Sequence, residues 1–222
     1  MAESMSLSPA LDPRSPYHID PDYQAEENLP MVILSQADDN YFIWKNHFLE
    51  FLVSKNKTGF VDGSVEKPDP SSPLYQPWVI CNARVKCWLM NSVSENLQDY
   101  VRFAETAHKA WEEFRMIFVP SVDFKIYQLR QRIAMLRQDG DSVASYFGKL
   151  RRAWLELSEY DPLPEGAQEA REKEQRYAFL MGLNNDLSYV RTKVMLMNSP
   201  PSLDQAYALV AQAESTMNST RC

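Results

Sequence analysis

The side chains in this sequence with the widest chemical reach are three cysteines, Cys81, Cys87 and Cys222, and three histidines, His18, His47 and His108. A zinc site needs such ligands in closely spaced pairs that converge on a tetrahedron. Cys81 and Cys87 stand six apart with no second pair to complete a set, and the histidines are scattered. No metal site is expected. Both of those cysteines fall within an apolar helical pattern, where a free thiol packs as a small hydrophobe, and the odd cysteine count fits a reducing, intracellular setting. Glu165, Glu169, Glu172 and Glu174 would make an acid–base set if they lined a cleft. Interleaved with Arg171, Lys173 and Arg176, they read instead as a solvated helix face laced with weak ion pairs. Asp62-Gly63-Ser64 has the wrong order for the Asp-Thr-Gly or Asp-Ser-Gly of an aspartic protease and reads as a turn. Gly-rich phosphate loops, Gly-x-Ser-x-Gly elbows and His-Glu-x-x-His are missing. The sequence therefore names no catalytic residue, no cofactor and no small-molecule substrate. Lys149, Arg151 and Arg152 form the densest basic cluster, ordinarily a wet helix face, with a contact to RNA or to a partner copy as the functional reading.

The elements that position these residues are helices. Hydrophobic residues make up 45% of the 222 and charged residues 24%, which places the chain among folded proteins with room for two small domains. Six glycines against many Leu, Ala, Gln, Glu, Arg and Met favour helix, because those side chains lose little rotamer freedom there. The fold class expected is all-α. A formal charge of −7 and the lack of any polybasic run argue against attraction to phosphate backbones. Met1 to Pro30 carries Pro and Asp where a signal peptide needs a basic start and an apolar core, and no stretch approaches the ~20 apolar residues of a membrane span.

Residues 1–29 are rich in Ser, Pro and Asp and read as a flexible arm. Met31 to Leu34 is a short apolar run suited to an extended segment laid on a domain. Asn40 is placed to cap a helix with Tyr41, Trp44, Phe48 and Leu52 on one stripe. Turn formers crowd Gly59 to Gly63 and Lys67 to Pro70, and a helix over about 74–91 then carries Trp78, Cys81, Val85, Trp88 and Leu89. Each enclosed Trp would be worth about 3–5 kcal/mol on truncation to Ala. A short helix over 94–100 and one capped by Thr106, with Trp111, Phe114 and Phe118, lead to Pro120, the expected domain boundary. Beyond it come a helix over 122–137 with Ile126, Leu129, Ile133 and Leu136, a break at Gln138 to Asp141, and a helix capped by Ser142 with Val143, Tyr146, Phe147, Leu150, Trp154 and Leu157. A charged helix over 165–182 and two more, marked by Tyr189 to Leu196 and by Leu203 to Val210, complete a count of eight or nine. All five tryptophans are helically phased and read as core. Trp154 is the one expected to be exposed if any is, as an interface anchor.

Several segments taken in order resemble the Gag polyproteins of copia-type retrotransposons. They are Asn40-Tyr41 with Trp44, then Lys55 to Ser64 with Lys67-Pro68, then Trp88 to Ser92, Ala110-Trp111, Tyr127 to Leu129, Phe179 to Asn184 and Pro200 to Leu203. The resemblance runs over roughly residues 30–215. It implies two small helical bundles, a capsid N-terminal domain at 30–119 and a dimerising C-terminal domain at 120–218, with a tail at 219–222, that polymerise into a cytoplasmic virus-like particle. The stretch from Gln138 to Trp154 is also similar to the major homology region of retroviral capsids, through Gln138, Gly140, Ser142, Tyr146, Phe147 and Leu150. It departs from that pattern by placing Asp139 between Gln138 and Gly140 and by lacking the usual Glu. In this unit the Gln amide is expected to bond neighbouring backbone while glycine permits the turn. Trp154, Lys149, Arg151 and Arg152 are the candidates for assembly contacts. The partner implied is the chain itself, with RNA bound only weakly because the zinc knuckle usual in copia-type Gag is missing. The rival reading is a Gag-derived helical adaptor that dimerises without forming particles. A chain ending at Cys222 without knuckle, protease or polymerase is expected to be either a capsid piece of a longer Gag or a host gene derived from one.

Overall fold

The computed structural model describes residues 9–19 and 32–220, and over these it is helical, with one isolated parallel bridge and no strand. The chain divides into two compact units, residues 1–120 and 121–222.

In the first unit α1 (Tyr41–Ser54) and α5 (Ala107–Phe118) carry the aromatic centre, while α3 (Tyr75–Asn91) encloses it. Trp44 stacks on Phe48 at 5.6 Å, tilts against Trp111 at 5.2 Å and meets the edge of Phe114 at 5.6 Å. These positions are three and four apart along each helix, so a 3.6-residue period alone brings them onto one face. The indole N–H of Trp44 donates to Ser92 Oγ at 3.1 Å, which satisfies its only donor inside the core. Leu34, fully buried, bridges Val93 through Leu34 N to Ser92 O and Ser94 N to Leu34 O, the extended docking expected of that run. Met31 lies outside the described residues. Two short helices, α2 (Gly59–Asp62) and α4 (Gln98–Phe103), stand where turns or a single short helix were expected.

Two expectations change in this unit. Asn40 precedes α1 but does not cap it with its side chain. The amide accepts from Ser35 N at 3.1 Å and donates to Ile33 O at 2.7 Å, so it ties the incoming segment instead. The flexible arm is corrected over residues 9–19, which fold onto this unit. Ile19 N donates to Ala10 O, Asn56 Nδ2 donates to Arg14 O, and Tyr17 sits edge-on to Phe60 at 6.4 Å. Even a Pro- and Ser-rich segment is ordered once an aromatic anchor and backbone acceptors are offered to it. The rest of the expected arm, at 1–8 and 20–29, lies outside the described residues, as do 221 and 222 of the expected tail.

The second unit contains α6 (Val122–Met135), α7 (Val143–Tyr160), α8 (Gln168–Met181), α9 (Ser188–Met195) and α10 (Leu203–Thr220). Tyr146, Phe147, Leu150, Trp154, Phe179, Leu180, Val190, Val194, Ala206 and Val210 make one core. α6 packs on α7, and α10 lies against α7, α8 and α9. Trp154, the one expected to be exposed if any were, is 7% exposed. It stands two turns after Phe147 on the same face, with the rings edge to face at 6.3 Å, and goes inside with it. All five tryptophans are buried. Among the described residues no helix is long and apolar enough to cross a membrane.

Candidate functional site

The break between α6 and α7 is where the second unit concentrates its buried polar chemistry. α6 stops at Met135 because Leu136 turns extended, and the chain then dips so that Gln138 is 3% exposed. Gln138 uses nearly all of its bonding capacity. Its backbone N–H donates to Gly182 O at 2.8 Å, its side-chain oxygen accepts from Asn184 N at 3.0 Å, and its Nε2 donates to Asp141 O and to Glu214 Oε1, each at 3.2 Å. Asn184 Nδ2 returns a bond to Asp139 O at 2.6 Å. One amide thus joins the α6–α7 loop, the end of α8 and α10.

Glu214 completes this knot from 76 residues away. It accepts from Val143 N at 2.9 and 3.1 Å, one of the unpaired amides that open α7, and its negative charge faces the positive end of that helix. Ser142 caps the same end in the usual way, taking Ser145 N at 3.2 Å. A glutamate, which the stretch from Gln138 to Trp154 lacks, is therefore supplied from α10. The sequence held one clue: Glu214 sits four residues after Val210 and one after Ala213, at the margin of the buried face of α10.

Tyr146 locks the knot to α8. Its hydroxyl donates to Ala178 O and Phe179 O at 3.2 Å, and burial pushes its pKa up to about 12. A Cβ on Gly182 would lie 2.0 Å from that hydroxyl and 2.8 Å from Leu136 O, so only glycine lets α8 end there. Gly140 is different from what its place in the loop suggested. The residue in the left-handed region is Asp139, at φ 48°, and a Cβ on Gly140 would meet nothing within 4 Å. The inserted aspartate makes the turn, and Gly140 is not needed for it.

Phe147 and Leu150 face the core with Tyr146, and Phe147 stacks on Tyr207 at 4.4 Å. Lys149, Arg151 and Arg152 lie on the exposed side of α7. Lys149 pairs with Asp141, and that hydrogen bond holds the Asp141 carboxyl below its ordinary pKa. Sequence reasoning also missed a buried ion pair between α6 and α7, in which Lys125 Nζ meets Glu156 Oε1 at 2.8 Å, with Arg132 at 3.5 Å from the other oxygen. Among the described residues no three His, Cys, Asp or Glu side chains gather as a metal set. Gln138, Asn184, Glu214 and Tyr146 each bond backbone groups of another element, and together they fix the α6–α7 loop to α8 and α10.

Residues 24–69 match the family model of the Gag-polypeptide of LTR copia-type. The Retrovirus-related Pol polyprotein from transposon RE1 of Arabidopsis thaliana is 21% identical over 185 residues. The chain is thus similar to copia-type Gag over part of its length. That alignment covers 79% of this chain and 12% of the polyprotein, so the chain spans about an eighth of its relative. The Gag family is structural rather than catalytic. The family match falls on the first unit, outside the Gln138 knot. No solved structure matches.

Proposed function

We propose that this Gag-like chain is a capsid protomer, with helical domains at 30–119 and 120–218 that adhere to further copies of themselves and build cytoplasmic virus-like particles. The observation that carries the reading is an apolar groove in the second unit, about 260 Å³, walled by Ile133 and Ala134 of α6, Trp154 and Leu157 of α7, and Ala178 and Met181 of α8. Arg130, Arg171 and Glu174 rim it. A groove of this make, apolar within and charged at the edge, suits burial against a second protomer. Met181 is 67% exposed beside it, and the last uncovered edge of Trp154 contributes to its wall. The Gln138 knot supports the same reading by fixing the ends of α7, α8 and α10, which keeps such a surface in one shape.

Weak contacts suffice, because closed symmetry multiplies them. The acidic balance opposes association at low salt, and screening shortens that repulsion to about 10 Å at 0.1 M. Light scattering over a concentration series, with electron microscopy before and after raising ionic strength, tests the proposal. Growing oligomers or particles are expected, with Met181→Glu reducing association while leaving the unfolding temperature unchanged. A chain that stays monomeric at high concentration and salt overturns the reading, and a dimer that never grows supports the adaptor instead.

A further inference from the structure

At the C-terminal end of α1 the described residues of the first unit border a half-open pocket of about 260 Å³ lined by the cations Lys55, Lys57 and Arg84 and by the imidazole of His18, with Asn56 and Trp88 beside them. Among the described residues no aspartate or glutamate lines it, in a chain that carries 30 of them against 23 Lys and Arg. The backbone puts Lys57 there. Asn56 takes the left-handed conformation at φ 53°, and Lys57 N donates back to Leu52 O, which closes α1 and turns the next side chain inward. Lys57 ends 4% exposed.

A buried ammonium needs partners for three N–H groups. Among the described residues Lys57 Nζ has one, Lys55 O at 3.4 Å. Burial pushes its pKa down, the mark of a charge without adequate compensation. The cations are not needed as helix caps, since the amides of Lys55, Asn56 and Lys57 already take the carbonyls of Phe51, Leu52 and Val53. Beside them, among the described residues, His18 Nδ1 is buried without a hydrogen-bond partner. An ammonium with one long hydrogen bond and a partnerless imidazole nitrogen on one small pocket are costly unless a further group meets them.

We propose that this pocket binds a small oxyanion of the phosphate class, with Lys57 and His18 as its buried donors and Lys55 and Arg84 supplying further positive charge. The volume falls below the roughly 300–1,000 Å³ of sites for organic ligands, so the size suits a single tetrahedral anion better than a nucleotide. This site is independent of the assembly groove and stands or falls without it.

The test uses the full chain in phosphate-free buffer. Sodium phosphate or glycerol 2-phosphate is titrated against sodium chloride at matched ionic strength, with thermal unfolding and the imidazole NMR signals of the three histidines as readouts. A saturable rise in unfolding temperature is expected, with the His18 signals moving and those of His47 and His108 still. Binding of phosphate alone assigns the site to the free ion, whereas equal binding of the ester extends it to phosphorylated groups. Lys57→Met keeps the apolar stem, and is expected to fold and to lose the response at least tenfold in apparent affinity. Any general salting-out effect of phosphate persists in that variant, which separates it from binding. Should Lys57→Met not fold, Lys55→Gln is expected to weaken the response several-fold. An equal response in the folded variants, or His18 signals that ignore phosphate, overturns the proposal.

Discussion

Replacing Glu214 by Ala tests whether one remote carboxylate holds the second unit together at its α7 end. The change removes the acceptor for Val143 N and for Gln138 Nε2 and the negative charge facing the start of α7. A hydrogen bond to a charged group contributes about 1.5–3 kcal/mol net. The favourable charge at a helix N-terminus adds about 0.3–1 kcal/mol. Glu214 is only half-buried and water can reach part of the gap, so the expected loss is about 2–4 kcal/mol rather than the full sum. Amide hydrogen exchange at Leu150 and Phe179 reads the second unit separately, and their protection should fall by about thirty- to a thousand-fold, at 1.4 kcal/mol per tenfold. Glu214→Gln keeps the shape and one acceptor and should lose about half as much. In the double variant with Gln138→Ala the effects should fall short of additivity by about 0.5–3 kcal/mol, since both residues belong to one network. A loss within about 0.5 kcal/mol for Glu214→Ala, the level of an ordinary surface change, would refute the account of the knot.

Gly182→Ala forces a methyl against the Tyr146 hydroxyl and the Leu136 carbonyl, and urea unfolding should show a loss of about 3 kcal/mol or more, only partly relieved by adding Tyr146→Phe because the backbone clash remains. Lys125→Ala strands the buried Glu156 carboxylate with the more distant Arg132 and should cost about 3–5 kcal/mol, whereas replacing the pair together by Met and Leu should be close to neutral; equal losses in the two would contradict the pairing. Tyr146 and Tyr160, both pushed up to about 12 by burial, bind their protons more tightly in the folded chain than in the unfolded one, where the phenol titrates near 10. Their contribution is whole below pH 10 and is lost as pH rises towards 12. Tyr146→Phe should flatten that decline in a stability-versus-pH series while lowering stability by about 1 kcal/mol at neutral pH through its lost bonds to α8.

The helices and their inward faces could be read in advance because burial imposes a period. Tyr41, Trp44, Phe48 and Leu52 repeat every three or four residues, as do Val143, Phe147, Leu150, Trp154 and Leu157, and all of them are buried. Thr106 and Ser142 were equally readable as caps, since a short hydroxyl side chain ahead of an apolar stripe has one local amide to satisfy. The similarity to copia-type Gag was legible for the same reason: it is carried along the chain itself.

What no linear pattern carries is which polar side chains go inside. Lys125, Gln138 and Glu156 are buried although charged and amide side chains ordinarily stay out, and each does so because a partner on another element meets it. Glu214 reaches Gln138 across 76 residues, and Gly182 is required only because Tyr146 arrives from α7. Asp139, not the neighbouring glycine, took the left-handed turn, because an aspartate tolerates that conformation once Asn184 holds its carbonyl. Periodicity records how each helix faces the core; satisfaction of a buried polar group depends on what faces it, and that is decided only when the helices have packed.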